Sequence, residues 1–156
     1  RGTAKCQVLT ITGADVAEPF NLTKSDTLPE PQPGMVVSID PENPGKLTVC
    51  STAYDKKVAG AISGAGGLSV GVVMGKDNAD PLIKGDHAVA MSGRVYVWCD
   101  ASTGAIKPGD RLTTSSTAGH AMKVGDESRA PGAVIGKAMT ELKTGKGLVL
   151  VLVNLQ

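Results

Sequence analysis

The segment HAVAMSGRVYVWCD, residues 87–100, determines how the rest of the sequence is interpreted. Short apolar runs and alternating apolar and polar positions follow one another in it, which is the pattern of β-strands. Ser92 and Gly93 interrupt the pattern near its middle. The segment therefore predicts either two strands, at residues 87–91 and 94–99, or one long strand with a bend at the glycine.

The same strand signature recurs along the chain between glycine and proline turn signals. GLVLVLVNL, residues 147–155, alternates Val and Leu without a polar face, which predicts a central strand covered on both sides. Residues 23–33 contain three prolines and predict a surface loop. The strand in GLVLVLVNL is placed at residues 148–155. The remaining predicted strands lie at residues 5–12, 35–39, 46–50, 58–62, 70–74, 111–114, 121–123 and 132–140.

Helical periodicity is scarce, so the predicted fold class is all-β: a compact multi-strand barrel or β-clip-like domain. The 156 residues suit a single β domain over residues 1–156. Only 3% of the residues are aromatic, so the core must consist mainly of Val, Leu, Ile and Ala. The sequence lacks a starting Met, from which we expect that it is the C-terminal part of a longer protein.

A weak internal repeat suggests a duplication. One copy begins at Pro33 and the other at Pro108, and each reads Pro-Gly, strand, glycine turn, strand, loop and a third apolar strand. VAGAIS at residues 58–63 is aligned with PGAVIG at 131–136. Two copies of a three-strand unit predict a closed or clip-like β architecture with a pseudo-twofold. The alternative is chance similarity, because the match depends on turn residues.

Charge and composition disfavour several classes of partner. The 16 basic and 15 acidic residues give a net charge of +1, and the basic residues are scattered, so nucleic-acid binding is not predicted. No apolar run reaches the length of a membrane span. The three cysteines form no CxxC pair, so we predict no metal site and no cofactor. Three buried thiols are expected, and one disulfide with one free thiol is the alternative.

The segment GADVAEPF, residues 13–20, carries two acids, Asp15 and Glu18. A helix starting at Asp15 would fail at Pro19, so the segment is predicted to be a polar turn after the first strand. A catalytic interpretation needs the two carboxylates to converge, one as proton donor and one ionised. Their three-residue spacing permits this on a helical turn.

Six motifs occur in this order along the chain: GADVAEPF, PGMVVSID, AYDKKVAGAISG, HAVAMSGRVYVWCD, IKPGDRLTTS and HAMK. Together they resemble one family. It is the self-cleaving C-terminal domain of phage neck-appendage and tail-spike proteins, which acts as an intramolecular chaperone. Related C-terminal β domains of uncharacterised bacterial surface proteins, β-clip domains and small phage capsid decoration proteins are similar as well.

The resemblance implies a domain that helps a fibre to trimerise and is released by cleavage near the acidic signature. Asp15 and Glu18 match the two acids of that signature. Ala17 and Phe20 match its other fixed positions, whereas Val16 replaces an aromatic residue and the proline before Phe20 is a departure. The sequence continues upstream of the signature without a break, which favours a domain that assembles but does not cleave.

The sequence therefore leaves three functional hypotheses. The first is a non-enzymatic structural domain of an extracellular, cell-surface or virion-associated protein. It would assemble a homo-oligomer, expected to be a trimer, through apolar strand edges and the glycine-rich loop at residues 60–71. The second is a self-cleaving peptidase that uses Asp15 and Glu18 as catalytic residues. The third is a polysaccharide-binding domain or a glycan hydrolase. Its candidate ligand-binding residues are Tyr96 and Trp98, and its candidate carboxylates are Asp15 or Glu18 paired with Asp55, Asp100 or Asp110.

Overall fold

A computed structural model of the chain describes residues 2–156. Its central element is one continuous strand, β6, which spans His87–Asp100. Gly93 has a φ of 97°, a conformation that glycine adopts readily, and it bends the strand where the sequence pattern is interrupted. Of the two arrangements that the sequence allowed, the single bent strand is confirmed.

Nine further strands surround β6, and the only other regular element in the described chain is a 3-10 turn at Ala65–Gly67. The predicted all-β class is confirmed. The strands are β1 Asp15–Phe20, β2 Val36–Ile39, β3 Leu47–Val49, β4 Val58–Ile62, β5 Val72–Val73, β7 Arg111–Thr114, β8 Ala121–Lys123, β9 Val134–Ala138 and β10 Lys146–Asn154.

Five strands close into a barrel in the order β6, β10, β9, β7, β8 and back to β6. The longest seam is antiparallel, between β6 and β10 over nine residue pairs. A short parallel contact between Cys99 and Ala121 completes the ring. Alternate residues of the strands point inward and form an aliphatic core, as in other small filled barrels. That core includes Val95, Val97, Cys99, Leu112, Ile135, Val149, Val151 and Val153.

The N-terminal half of β6 belongs to a sheet extension outside the ring. It pairs with β1 along one edge and with β4 along the other, and β4 continues into β2 and β3. A second apolar cluster lies on this extension and includes Val37, Val49, Ile62 and Val89. The long strand is therefore shared by both parts of the fold.

The two halves of the sequence repeat adopt the same strand arrangement. In each, the first strand pairs antiparallel with the second on one side and with the third on the other. Each third strand has a one-residue bulge next to a glycine, Gly60 in β4 and Gly136 in β9. The structural equivalent of residues 58–62 is therefore 134–138, three residues beyond the aligned 131–136. The two copies therefore share their strand topology, although the alignment on turn residues misplaced the last segment by three residues.

The first predicted strand is wrong. Residues 5–12 form no strand and are exposed, whereas GADVAEPF, predicted to be a turn, contains β1. Both segments have some strand character, and the available partner decides between them, because β6 pairs with residues 15–20. Pro19 is tolerated because β5 pairs only with Val16 and Ala17, so that β1 has no partner strand on that edge near the proline.

Two further expectations need correction. Strand β10 is fully covered on one face only: Val149, Val151 and Val153 are buried in the barrel, whereas on the outer face Leu152 is 46% exposed and the other leucines are half-buried. Of the cysteines, Cys50 and Cys99 are buried free thiols as expected, but Cys6 is exposed. It lies in the segment that was predicted to be a strand and is not.

Candidate functional site

Asp15, the first residue of β1, lies opposite Gly93 of β6 and is only 4% exposed. Its Oδ2 atom and the hydroxyl of Ser63 are both buried without a hydrogen-bond partner. Burial raises the pKa of Asp15, and the nearby Ser63 hydroxyl and Gly71 amide oppose this only in part. The environment of Asp15 therefore makes this carboxyl easier to protonate than an exposed aspartate.

Glu18 does not join Asp15. Both residues lie in one strand at an odd spacing, so their side chains point to opposite faces. Asp15 is on the buried face, and Glu18 is half-buried opposite Val89. The helical turn that would have brought the carboxylates together is absent, so the predicted pair does not form the geometry that acid–base catalysis requires.

The three other candidate carboxylates are each held in a local network. Asp55 accepts from the Lys57 ammonium at 2.9 Å. Asp100 accepts from the Thr117 hydroxyl at 2.6 Å, and Asp110 lies 3.0 Å from the Lys123 ammonium.

These networks keep the three groups ionised. For Asp100 the hydrogen bonds from Thr117 and Ser102 together lower the pKa to about 2, and the Thr117 hydroxyl is the largest cause. Burial opposes ionisation of Asp55 and Asp110, but hydrogen bonds outweigh it and their pKa values are lowered as well. None of the three is suited to be a proton donor near neutral pH. Asp100 also lies seven residues along β6 from Gly93, the partner of Asp15, which is about 20 Å and too far for a glycosidase pair.

Tyr96 and Trp98 lie on the outer side of β6, between the inward-pointing valines. The Trp98 indole donates to the carbonyl of Pro33 at 3.2 Å, and its ring lies 6.1 Å from that of His120. The Tyr96 ring packs so closely on Gly66 that a Cβ there would lie 2.6 Å from it. Both rings are partly occupied by packing, and their assignment to ligand binding stays a prediction.

Within residues 2–156 no three His, Cys, Asp or Glu side chains form a group that could hold a metal ion. None of the helical structure in this part of the chain is long and apolar enough to cross a membrane.

Two features with functional potential were missed from the sequence. The first is the exposed apolar segment before β1, with Val8 80%, Leu9 73% and Ile11 41% exposed. Its strand-like pattern was visible, but its lack of a partner strand was not. The second is a cleft of about 610 Å³ bordered by Tyr54, Lys107 and Arg129. These residues are distant in sequence, and no motif marked them.

No protein-family model and no curated protein matches the chain. Among solved structures, the chain is similar to the head fiber gp8.5 N base of bacteriophage phi29. The two are 19% identical, with a TM-score of 0.43, over 80% of this chain and 85% of that one. A likeness of this degree does not establish a function, and the resemblance to intramolecular-chaperone domains stays a prediction.

Proposed function

We propose that this domain is a non-enzymatic assembly domain that forms a homo-oligomer within a fibre-like or surface protein. The trimer and the extracellular, cell-surface or virion-associated location belong to this proposal through the family resemblance. The observation that carries the proposal is the apolar arm, defined as residues 5–12, whose Val8 and Leu9 are 80% and 73% exposed.

Exposure of this kind is costly in water. Full burial of a Val, Leu or Ile side chain stabilises by about 1.5–3 kcal/mol, and the arm carries three such residues. The arm also alternates residue types as a strand does, yet its backbone amides and carbonyls have no partner strand. When an extended apolar segment of this kind lies along another chain as an added strand, its side chains are buried and its backbone groups form hydrogen bonds.

A second copy of the domain offers a surface of matching chemistry. Leu152 of β10 is 46% exposed and Met139, just after β9, is 42% exposed. Leu148 and Leu150 project from the same outer side of β10. The arm of one copy and this apolar outer face of another are the two contacts that we assign to the interface.

The test compares the solution mass of the wild-type chain with that of a variant whose arm carries charged side chains in place of apolar ones. Val8→Asp/Leu9→Asp should convert an oligomer into a monomer of 15.8 kDa while the β-sheet circular dichroism is kept. Thr10→Asp is the matched control, because it adds a charge to a polar position of the same exposed segment. Light scattering coupled to gel filtration at several concentrations gives the readout.

Three results are informative. A wild-type chain that is monomeric at millimolar concentration contradicts the proposal. If oligomers persist in Val8→Asp/Leu9→Asp but dissociate in Leu152→Asp, the domain still assembles, but through β10 and not through the arm. Dissociation by the Thr10→Asp control would show that charge alone disrupts the oligomer, against a role for the apolar side chains.

The second candidate function, self-cleavage near residue 13, is favoured by the buried Asp15 with its raised pKa and unpartnered oxygen. A chain extended upstream by its natural sequence should then yield a discrete fragment by mass spectrometry, and Asp15→Asn should stop the cut. An extended chain that stays intact excludes this candidate and leaves the assembly proposal untouched.

A further inference from the structure

A cleft of about 610 Å³ is lined by three loops, those between β3 and β4, β6 and β7, and β8 and β9, together with the end of β8. Tyr54 and Arg129, which contact each other, line the cleft, and so does the turn containing Thr103 and Gly104. The buried side chain of Met122 contributes an apolar floor. A volume of this size is typical of sites for small organic ligands.

Tyr54 lines the cleft in a strained backbone conformation. Its φ of 56° is in the left-handed region, which costs a bulky residue about 1–3 kcal/mol. The Tyr54 hydroxyl oxygen accepts hydrogen bonds from the backbone amides of Gly125 and Asp126 at 2.9 and 2.8 Å. These bonds occupy the acceptor positions of the hydroxyl, so its proton can be donated to a ligand.

Arg129 is positioned against the same tyrosine. Its guanidinium carbon lies 4.4 Å from the centre of the Tyr54 ring, and Nη2 donates to the carbonyl of Ala53 at 3.2 Å. A guanidinium has five N–H donors, so several remain for a ligand. Because the Arg129 side chain is already ordered, less conformational entropy is lost when an anion binds it.

The charges around the cleft favour an anion. Three cations, Lys107, Lys123 and Arg129, line it with a single acid, Asp126. The Asp126 carboxylate already accepts from the amide and hydroxyl of Ser128. Lys123 is paired with Asp110, and the charges of Lys107 and Arg129 also act on Asp110 and Asp126. The three cations therefore exceed the two nearby acids by one positive charge.

We propose that this cleft binds a small ligand that carries an oxyanion, and that the ligand class is an acidic sugar. Arg129 and Lys107 would bind the carboxylate, the Tyr54 hydroxyl would donate to a ring oxygen or hydroxyl, and Met122 would contact the apolar face of the sugar ring. The cleft is distinct from the arm and from β10, so this binding function is independent of assembly.

The test is a titration of the 15N-labelled chain with glucuronate, monitored by amide chemical shifts of residues around the cleft. Glucose is the neutral analogue, and inorganic phosphate is a second oxyanion. We expect saturable shifts at Gly104, Gly125 and Asp126 with glucuronate and much weaker ones with glucose. Binding should weaken as salt is added, because the interaction is between charges.

Two variants test whether positive charge in the cleft binds the ligand, and neither changes the Tyr54 contacts. Lys107→Gln removes an exposed charge and should weaken glucuronate binding about tenfold. Gly104→Glu adds an acid to the lining of the cleft, at a position where a Cβ meets no atom within 4 Å and the fold can accept it. Lys143→Gln is the matched control, since this exposed lysine is paired with Glu141 and does not line the cleft.

Four outcomes decide the proposal. Loss of binding in Lys107→Gln and Gly104→Glu but not in Lys143→Gln supports it. Equal affinity for phosphate and glucuronate supports an oxyanion site and overturns the assignment to sugars. Equal affinity for glucose and glucuronate overturns the role of charge. An absence of saturable shifts with both anions up to tens of millimolar overturns the site itself.

Discussion

Asp15 and Gly93 face each other across the β1–β6 ladder, and they are so close that a Cβ on residue 93 would lie 2.9 Å from the Asp15 Cα. The same Cβ would lie 2.7 Å from the Ala14 carbonyl oxygen. Gly93 therefore has two functions in the fold: it bends β6, and it admits β1 at the bend.

Replacement of Gly93 should be strongly destabilising. Gly93→Ala imposes a φ of 97° on a residue with a side chain and forces the Cβ against backbone atoms. We expect the free energy of unfolding to fall by about 3 kcal/mol in urea titrations. Gly104→Ala is the control and should change it by less than about 1 kcal/mol, because a Cβ there meets nothing within 4 Å. Equal effects of the two would contradict the close-approach explanation.

Local pattern was sufficient for the five strands of the closed ring, because each of them has a partner strand on both edges. The alternation in β6 and β10 survives in the structure as an inward valine face and an outward face. It failed at β1, because strand pattern alone cannot say which of two adjacent segments finds a partner. Residues 5–12 have the better strand pattern, but residues 15–20 are the ones that pair with β6.

The candidate site was harder to predict because it depends on side-chain direction and on contacts between distant residues. The acids Asp15 and Glu18 could be identified, but their opposite directions follow only from the strand that contains both. Tyr54 and Gly125 are separated by 71 residues, and nothing local in either indicates their hydrogen bond. The bulge glycine Gly136 was misaligned for the same reason, since its role is set by the neighbouring strand β10: a Cβ there would lie 2.1 Å from the Leu152 carbonyl.

Asp15→Asn should stabilise the protein at neutral pH. The pKa of Asp15 is higher in the folded than in the unfolded state, so the folded state binds more protons between those two values and loses stability as the pH rises through them. A neutral amide avoids this loss, and its N–H group can donate to the unpartnered Ser63 hydroxyl. Thermal unfolding should show a higher Tm for the variant at pH 7 and a smaller difference at pH 3.

Glu18→Gln is the matched control for that comparison, because this carboxylate lies on the opposite, half-exposed face of β1. It should change the Tm little at either pH. A loss of stability in Asp15→Asn at pH 7 would instead mean that the fold requires the ionised carboxylate, and would reverse our interpretation of its environment.

Thr117→Val should remove an acid-sensitive part of the stability. The Thr117 hydroxyl is the main cause that lowers the pKa of Asp100 from 3.8 to about 2. This contribution is complete above about pH 4 and is lost as the pH falls toward 2. We expect the variant to lose about 1–2 kcal/mol at pH 7 in urea unfolding, and this difference to shrink between pH 4 and pH 2. Thr144→Val, at an exposed turn position, is the control; a pH-independent loss in Thr117→Val would contradict the role of Asp100.

The three thiols should react at different rates with a thiol reagent at pH 8. Cys6 is exposed in the arm, whereas burial raises the pKa of Cys50 and raises that of Cys99 to about 12. One equivalent should therefore react rapidly and two only on unfolding, and Cys6→Ser should remove the rapid phase. Two rapid equivalents in the native wild-type chain would contradict this assignment.

The rapid thiol also reports on assembly. If the arm lies along a second copy, Cys6 becomes covered as the oligomer forms, and its reaction should slow as the protein concentration rises across the dissociation range. Val8→Asp/Leu9→Asp should abolish that concentration dependence without changing Cys50 or Cys99, because both are buried within one chain. A Cys6 rate that stays constant while the mass rises would show that the oligomer forms through another surface, and the apolar outer face of β10 would then be the first to mutate.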